Sequence, residues 1–291
     1  MASEALLGDL QILLGMPFFQ MALIGGCLAT FVCATMGLFI VLRKESMIGD
    51  SAAHTSFGGV AIGLLLGLDP ILFALVLSTL AILGMSYMKK KGIAQSDAAM
   101  AVMLATGFAI GLIAIGISGG FNVSVMDYLF GSILTISSAD LTLMALLSVA
   151  VLSVVMLFFK ELVAMTFDEP SSRMNGIPVS WLSLTFNILM AVTVVLSIKV
   201  VGIILVVALL VIPALAALQL NLSFRKTLMA SMIIGVGSTL FGIMLSGLID
   251  LPAAGVIVLA DVFMLLTLVA YQRLGRPSGS GSGQGEKART G

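Results

Sequence analysis

A succession of long apolar segments, separated by short polar breaks, constrains this chain more than any other feature. A membrane-spanning helix needs about 20 mainly apolar residues, and nine segments approach or reach that length. Of the 291 residues, 60% are hydrophobic and 10% are charged, whereas soluble domains carry about 25% charged residues. We therefore predict an all-α, polytopic membrane protein with eight or nine spans. The candidate segments are residues 19–42, 48–68, 70–88, 96–118, 140–160, 179–198, 200–220, 227–248 and 253–272.

Two parts of the chain fall outside this pattern. Residues 119–139 are apolar but interrupted by glycines and serines, which favours a re-entrant or interfacial piece over a full span. Residues 277–291 are rich in glycine and serine and have no apolar anchor, which is typical of a flexible tail. We predict one transmembrane domain, residues 1–276, followed by that tail.

The distribution of Lys and Arg along the chain tests the number of spans. Membrane proteins accumulate both residue types in their cytoplasmic loops. With nine spans and an external N-terminus, the Lys and Arg residues from Arg43 to Arg276 fall on the cytoplasmic side, with Lys199 as the exception. Because a miscounted helix would mix the charges downstream of the error, this sorting predicts an external N-terminus and a cytoplasmic C-terminus.

Charge, cysteine content and motifs argue against several functions. The formal net charge is zero, so nothing favours nucleic-acid binding. Cys27 and Cys33 are too few for a disulfide framework or a Cys-rich metal site. The sequence has no GxxxxGKS/T phosphate loop, so the chain itself does not hydrolyse ATP by that route. It also lacks HExxH and CxxC motifs, and we predict a protein that is not an enzyme.

Asp50 and His54 are the intramembrane residues that most suggest chemistry. They stand four residues apart, so a helix projects both from one face, and His54 is the single histidine of the chain. Imidazole and carboxylate groups are ligands that zinc, manganese and iron accept. One chain supplies half of a four-ligand site, which two facing copies would complete. The spacing leaves two other interpretations open: Asp50 orients or neutralises His54, or the pair relays protons.

Asp261, in the last candidate span, has no cation predicted at its depth. An intramembrane carboxyl group is a functional hypothesis by default, and Asp261 could line a cavity or bond a backbone group. We favour a structural role for Asp261 over a role in transport.

The connecting segment 161–178 predicts a short capped helix on the cytoplasmic face. Acidic residues and a proline come first, and a glycine and a second proline close the segment, which is the usual order of signals at the two ends of a helix. Such an element suggests a partner, although an ordinary interfacial connector is an equal alternative. The residues concerned are Phe167, Asp168, Glu169, Arg173, Gly176 and Pro178.

Five sequence blocks together resemble the membrane permease subunits of ABC importers for zinc, manganese and iron, over residues 19–272. Two positions depart from that family: Ser46 stands where some relatives have an acidic residue, and Phe57-Gly58-Gly59 stands where relatives often have a proline. The blocks, in the family's order, are Val41-Leu42-Arg43 followed by Gly49-Asp50 and Ala53-His54; Asp97-Ala98 through Ala109-Ile110-Gly111; Tyr128-Leu129-Phe130-Gly131-Ser132-Ile133-Leu134; Phe167-Asp168 with Gly176-Ile177-Pro178; and Val201-Gly202 through Ala208-Leu209-Leu210 to Pro213-Ala214.

The resemblance implies a homodimer, or a pair of related permeases, enclosing one translocation path in the cytoplasmic membrane of a prokaryote. It implies two cytoplasmic ATPase subunits that bind the ATP, an extracytoplasmic metal-binding protein that delivers the ion, and no permanently bound cofactor. It carries a metal-contacting role onto Asp50 and His54, and an ATPase-docking role onto the loop from Asp168 to Pro178. We favour zinc as the transported ion over manganese or iron, because two nitrogens and two oxygens suit tetrahedral zinc.

Two other classes of function are open as hypotheses. A secondary carrier could couple solute movement to protons through Asp50, His54 and Asp261, although such carriers often show internal repeats and we find none between the two halves. An intramembrane enzyme is the third hypothesis, and the chain lacks a recognisable nucleophile or metal motif for it.

Overall fold

The computed structural model describes residues 12–120, 123–131, 136–249 and 251–274, and the regular elements within these ranges are all α-helices. The all-α prediction is confirmed, and the predicted tail, residues 277–291, lies outside the described ranges. From residue 17 onward the helices are α1 (Pro17–Arg43), α2 (Met47–Leu66), α3 (Pro70–Lys90), α4 (Ser96–Ile117), α5 (Val123–Phe130), α6 (Ser138–Leu157), α7 (Phe159–Phe167), α8 (Glu169–Met174), α9 (Val179–Leu218), α10 (Phe224–Ile249) and α11 (Ala253–Leu274).

Seven of the described helices are long and apolar enough to cross a membrane, namely α1, α3, α4, α6, α9, α10 and α11. α2 has 20 residues but is more polar, since it carries Asp50 and His54. α9 has 40 residues, or about 60 Å of helix, which is about twice the thickness of the hydrocarbon core. Counted with α2, and with α9 as two crossings, the helices correspond to the nine predicted segments.

α9 reverses direction at Gly202, where the backbone has φ 79° and ψ 165°. A continuous helix would place Met190 and Leu210 about 30 Å apart. Instead, a methyl group added to Gly49 of α2 would lie 3.9 Å from Met190 Cε and 3.3 Å from Leu210 Cδ1. Both halves of α9 therefore pack side by side against α2. The sequence predicted this break near Lys199, three residues before its actual position.

The short helix α5 covers the reversal of α9. It has eight residues, too few to span a bilayer, and it ends at Gly131, whose φ is +74°. A methyl group added to Gly131 would lie 2.6 Å from the Val200 carbonyl oxygen. The non-spanning piece predicted within 119–139 is thus confirmed for residues 123–131, while 121–122 and 132–135 lie outside the described ranges.

Glycines bring α2 close to its neighbours. A methyl group added to Gly59 would lie 2.5 Å from the Ala74 Cα of α3, and one added to Gly107 of α4 would lie 2.5 Å from the Thr55 Cα of α2. These small-residue contacts are packing within one chain, as expected where lipid provides no hydrophobic force between helices. α2 packs on α3, α4 and α9, whereas α1 packs on α6, α9 and α10.

The two ends of this bundle differ in their side-chain contacts. Near the end of α1, the ring of Phe39 contacts Phe159, Phe186 and Phe224, so the starts of α7, α9 and α10 meet there. At the other end, the Lys199 Nζ lies 3.3 Å from Asp140 Oδ2 and over the ring of Tyr128. Lys199, which the charge pattern set apart from the other basic residues, therefore lies at the end opposite to theirs.

Candidate functional site

Asp50 and His54 lie on the one open stripe of α2. The neighbouring residues Ser51, Ala53 and Thr55 are buried, because α3, α4 and α9 cover the other faces of the helix. The Asp50 and His54 side chains keep 39% and 30% of their surface exposed. The helix therefore presents one carboxylate and one imidazole together, as the spacing predicted.

The geometry of the pair suits a shared ion better than a direct hydrogen bond. His54 Nε2 lies 3.6 Å from Asp50 Oδ1, beyond hydrogen-bonding distance. A metal ion about 2.0–2.2 Å from each atom would bridge this separation with an angle of about 120° at the ion. The separation of the two atoms is therefore compatible with one shared ion.

The other ring nitrogen of His54 is also free. Nδ1 is buried and has no hydrogen-bond partner among the residues that the structure describes. Phe108 of α4 packs against the imidazole at a ring distance of 5.4 Å and an interplanar angle of 87°, and Phe108 in turn stacks on Phe57. These rings fix the orientation of an imidazole whose nitrogens are not used for structural hydrogen bonds.

The described residues of one chain do not complete a metal site. Within the described ranges, no group of three or more His, Cys, Asp or Glu side chains could hold an ion. Glu45, the nearest acidic residue before Asp50 in sequence, instead pairs with Arg43 and Lys89. Two donors on an exposed stripe are consistent with a site that needs a second chain.

Asp261 is not brought to this pair. It is fully buried on α11, which packs on α9 and α10 rather than on α2, and neither carboxyl oxygen has a hydrogen-bond partner in the described part of the chain. The Ser238 hydroxyl of α10 interacts with this carboxyl group. A relay that joins Asp261 to His54 finds no support in this arrangement.

The segment 159–178 forms two short helices, of which the sequence predicted the second. Asp168 separates α7 from α8 and caps α8 by accepting a hydrogen bond from the Ser171 backbone N–H. Hydrogen bonds from the Ser171 hydroxyl and backbone N–H hold the pKa of the Asp168 carboxyl below its usual value. Arg173 pairs with Glu169 at 3.0 Å, and Gly176 ends the helix with φ +80°. The predicted capping signals therefore act as expected.

Apolar side chains of this segment are exposed beside its charges. Phe167 is 65% exposed and Met174 is 82% exposed, and Glu169, Pro170 and Arg173 lie around Met174 in a shallow cleft. A large apolar group at the tip of a capped helix is typical of a contact with another protein. We name α7, α8 and the turn to Pro178 the docking segment.

Arg43 joins the docking segment to the membrane helices, a role that sequence reasoning missed. Its Nε donates to Glu45 Oε2 at 2.9 Å, and its Nη1 lies 3.9 Å from the Met165 sulfur of α7. Its guanidinium also lies 5.1 Å from the ring centre of Phe186 in α9. Glu45, two residues before α2, bonds Lys89 Nζ of α3 at 3.3 Å. The Arg43 side chain, which is 9% exposed, thus connects α1, α7 and α9 to the start of α2.

Comparison with known proteins gives matches along most of the chain. The family model described as the ABC 3 transport family matches residues 15–272. A manganese transport system membrane protein of Halalkalibacterium halodurans is 30% identical over 85% of this chain and 85% of its own length. A high-affinity zinc uptake system membrane protein of Haemophilus influenzae is 28% identical over 87% of this chain and 97% of its own length.

Two further matches are a membrane protein of a cyanobacterium and a chain of a solved structure. An uncharacterised membrane protein of Synechocystis is 35% identical over 179 residues, and the match covers 62% of this chain and 64% of that protein. Among solved structures, the PsaBC complex of Streptococcus pneumoniae with a Fab contains a chain with a TM-score of 0.82 and 29% identity. This likeness covers 95% of the present chain and all of the other.

Proposed function

Because the chain belongs to the ABC 3 transport family, we propose that it is the membrane permease subunit of an ATP-driven importer of divalent transition-metal ions. The observation that carries this proposal is the Asp50 and His54 pair, held 3.6 Å apart on the open stripe of α2 in a bundle of membrane helices. Relatives named for manganese and for zinc transport support the same class of cargo.

The translocation path lies between two copies of the chain. A bare dication in hydrocarbon is prohibitively costly, so the path needs anionic or imidazole ligands where it narrows. Two facing copies of α2 supply two carboxylates and two imidazoles to one ion. When the two halves shear apart, each keeps one pair and holds the ion weakly, which releases it to the other side.

ATP binding to the ATPase subunits acts on the Asp50 and His54 pair through the docking segment. Two cytoplasmic ATPase subunits close on α7 and α8, and Arg43 transmits the movement of Met165 to Glu45 at the start of α2. Asp50 follows Glu45 by about one and a half helical turns, so a tilt of α2 changes the separation of the two ligand pairs. An external metal-binding protein delivers the ion to the opposite end, where α5 covers Gly202. In this arrangement the N-terminus is external and the C-terminus is cytoplasmic.

Zinc is the cargo that the donor set favours. Two nitrogens and two oxygens form the four-coordinate set typical of zinc, although manganese and ferrous iron accept the same ligands. The test is uptake and metal-stimulated ATP hydrolysis by the reconstituted complex with its binding protein, compared for the three ions. Uptake of zinc at the lowest concentration supports the assignment, whereas a preference for manganese or iron contradicts it.

The same vesicles distinguish an importer from a secondary carrier. An ATP-driven importer takes up metal only when the ATPase subunits are present and ATP is supplied to their side. Uptake driven by a pH gradient, without ATPase subunits, would contradict the proposal and favour proton coupling.

The exposed tip of the docking segment provides a direct test of ATPase binding. We expect Met174→Glu to reduce co-purification of the ATPase subunits by at least about tenfold, because a charge replaces an apolar group at the centre of a protein contact, where such anchors contribute about 2 kcal/mol or more. Leu274→Glu is the matched control, since Leu274 is 86% exposed outside the docking segment. Equal retention of the ATPase by both variants would contradict the docking role.

The ion pairs of Glu45 with Arg43 and Lys89 predict different losses of stability for Glu45→Gln and Lys89→Gln. Glu45→Gln leaves the Arg43 charge, whose side chain is 9% exposed, without a carboxylate, and we expect a loss of about 1–3 kcal/mol in stability. Lys89→Gln removes a side chain that is 33% exposed, and we expect a loss of less than about 1 kcal/mol. Thermal unfolding in detergent measures both, and equal losses would show that Glu45 is no more important than a surface charge.

A further inference from the structure

A second cleft lies at the end of the bundle where α6 ends and α10 begins. Its volume is 590 Å³, and residues of α6, α7 and α10 line it. These three helices pack on α1, whereas α2 packs on α3, α4 and α9. None of the lining residues belongs to α2, so the cleft is separate from the Asp50 and His54 pair, and its α7 residues belong to the docking segment.

One wall of the cleft is apolar and open. Met156 and Leu157, at the end of α6, are 73% and 74% exposed, and Met229 in the second turn of α10 is 62% exposed. Because α6 and α10 both have the length and hydropathy of membrane spans, exposed apolar side chains on them are suited to contact with acyl chains. Acyl chains of a lipid can thus extend along this wall.

The other wall carries two cations. Lys160 at the start of α7 and Arg225 at the start of α10 line the cleft, and the Arg225 guanidinium lies 5.7 Å from the ring centre of Phe159. In the described part of the chain neither cation forms an ion pair, not even with Glu161, the one acidic residue of the lining. Arg225 is the second residue of α10, and the first N–H groups of a helix favour an anion.

We propose that this cleft binds the headgroup of an anionic phospholipid such as phosphatidylglycerol. The apolar wall and the cationic wall meet at the height where a lipid changes from acyl chain to phosphate, and basic pockets between membrane helices are suited to such headgroups. The inference requires only that α6 and α10 cross a bilayer. It stands or falls separately from metal transport.

Lipid retention by the purified protein tests the proposal. The full-length permease is reconstituted with mixed phosphatidylglycerol and phosphatidylcholine, extracted, and measured by native mass spectrometry for bound lipid. We expect wild-type protein to retain phosphatidylglycerol selectively, and the double variant Lys160→Gln, Arg225→Gln to retain it about thirtyfold less. This factor follows from about 1 kcal/mol for each basic residue near an anionic surface, with tenfold for each 1.4 kcal/mol.

Lys226→Gln is the matched control, because Lys226 is an exposed cation next to Arg225 and does not line the cleft. It should retain lipid as the wild type does. Equal loss in Lys226→Gln, or no preference for phosphatidylglycerol in the wild type, would overturn the proposal. Displacement of the lipid by millimolar inorganic phosphate would assign the cations to a free anion instead. Loss of the lipid when ATPase subunits bind would assign the cleft to that partner.

Discussion

Metal uptake is expected to fall by about 100-fold or more in His54→Ala and in Asp50→Ala. In a dimer each substitution removes two of four ligands, and the loss of even an outer-shell partner of a metal site costs about 10–100-fold in affinity. The measurement is uptake of radioactive zinc into vesicles that contain the complete complex, with co-purification of the ATPase subunits as the check on assembly. Both variants should assemble normally, because both side chains are partly exposed in the single chain.

Two further variants separate a metal ligand from a structural pair. Met47→Ala changes another exposed residue near the start of α2 without removing an oxygen or nitrogen donor, and uptake should be unchanged. The exchange of both residues, Asp50→His with His54→Asp, keeps the donor set and should restore part of the uptake. Wild-type uptake by both alanine variants would show that the shared site is wrong.

Gly202→Ala is expected to destabilise the protein by about 2–6 kcal/mol. A side chain at φ 79° and ψ 165° lies in a region that is essentially restricted to glycine and costs about 1–3 kcal/mol. The added methyl group would also overlap the Gly131 nitrogen and the Leu129 carbonyl oxygen, and such overpacking costs about 1–3 kcal/mol more. Thermal unfolding of the detergent-solubilised protein should show a clear decrease in the midpoint.

Gly237→Ala is the control for this substitution. Gly237 lies within α10 and has no heavy atom within 4 Å of an added methyl group, so the change should be neutral or stabilise the helix by up to about 1 kcal/mol. If Gly202→Ala and Gly237→Ala unfolded at the same temperature, the close contact between α5 and the reversal of α9 would not be essential to the fold.

Much of the architecture could be predicted from hydropathy and charge. The apolar segments gave the helices to within a few residues, since a bilayer requires about 20 apolar residues per crossing and allows no unpaired backbone. The exception is α9, which the sequence divided at Lys199 although its backbone turns at Gly202. The boundary between the two predicted segments was placed at Lys199 because lysine is charged. The turn itself requires the positive φ that only glycine adopts easily.

The candidate site could be predicted only in part. The spacing of Asp50 and His54 was sufficient to place both on one face of α2. The capping residues of α8 could be predicted for the same reason, because both features depend on local helical geometry. The metal-binding and docking roles stay predictions. Arg43 was not recognised as a connection, because its partners Met165 and Phe186 are more than 100 residues distant in sequence.

The sequence by itself determined that the chain crosses a membrane many times, and which residues could hold an ion, because these properties depend on composition and on neighbours within one helix. Only the tertiary structure decided that the Asp50 and His54 stripe remains open while Asp261 is buried elsewhere. It also decided that Glu45 pairs with Arg43 and Lys89 rather than joining the site. The exposure and the ion pairs of these side chains depend on which helices pack together. Close approach of helix backbones at residues such as Gly59 contributes to that packing.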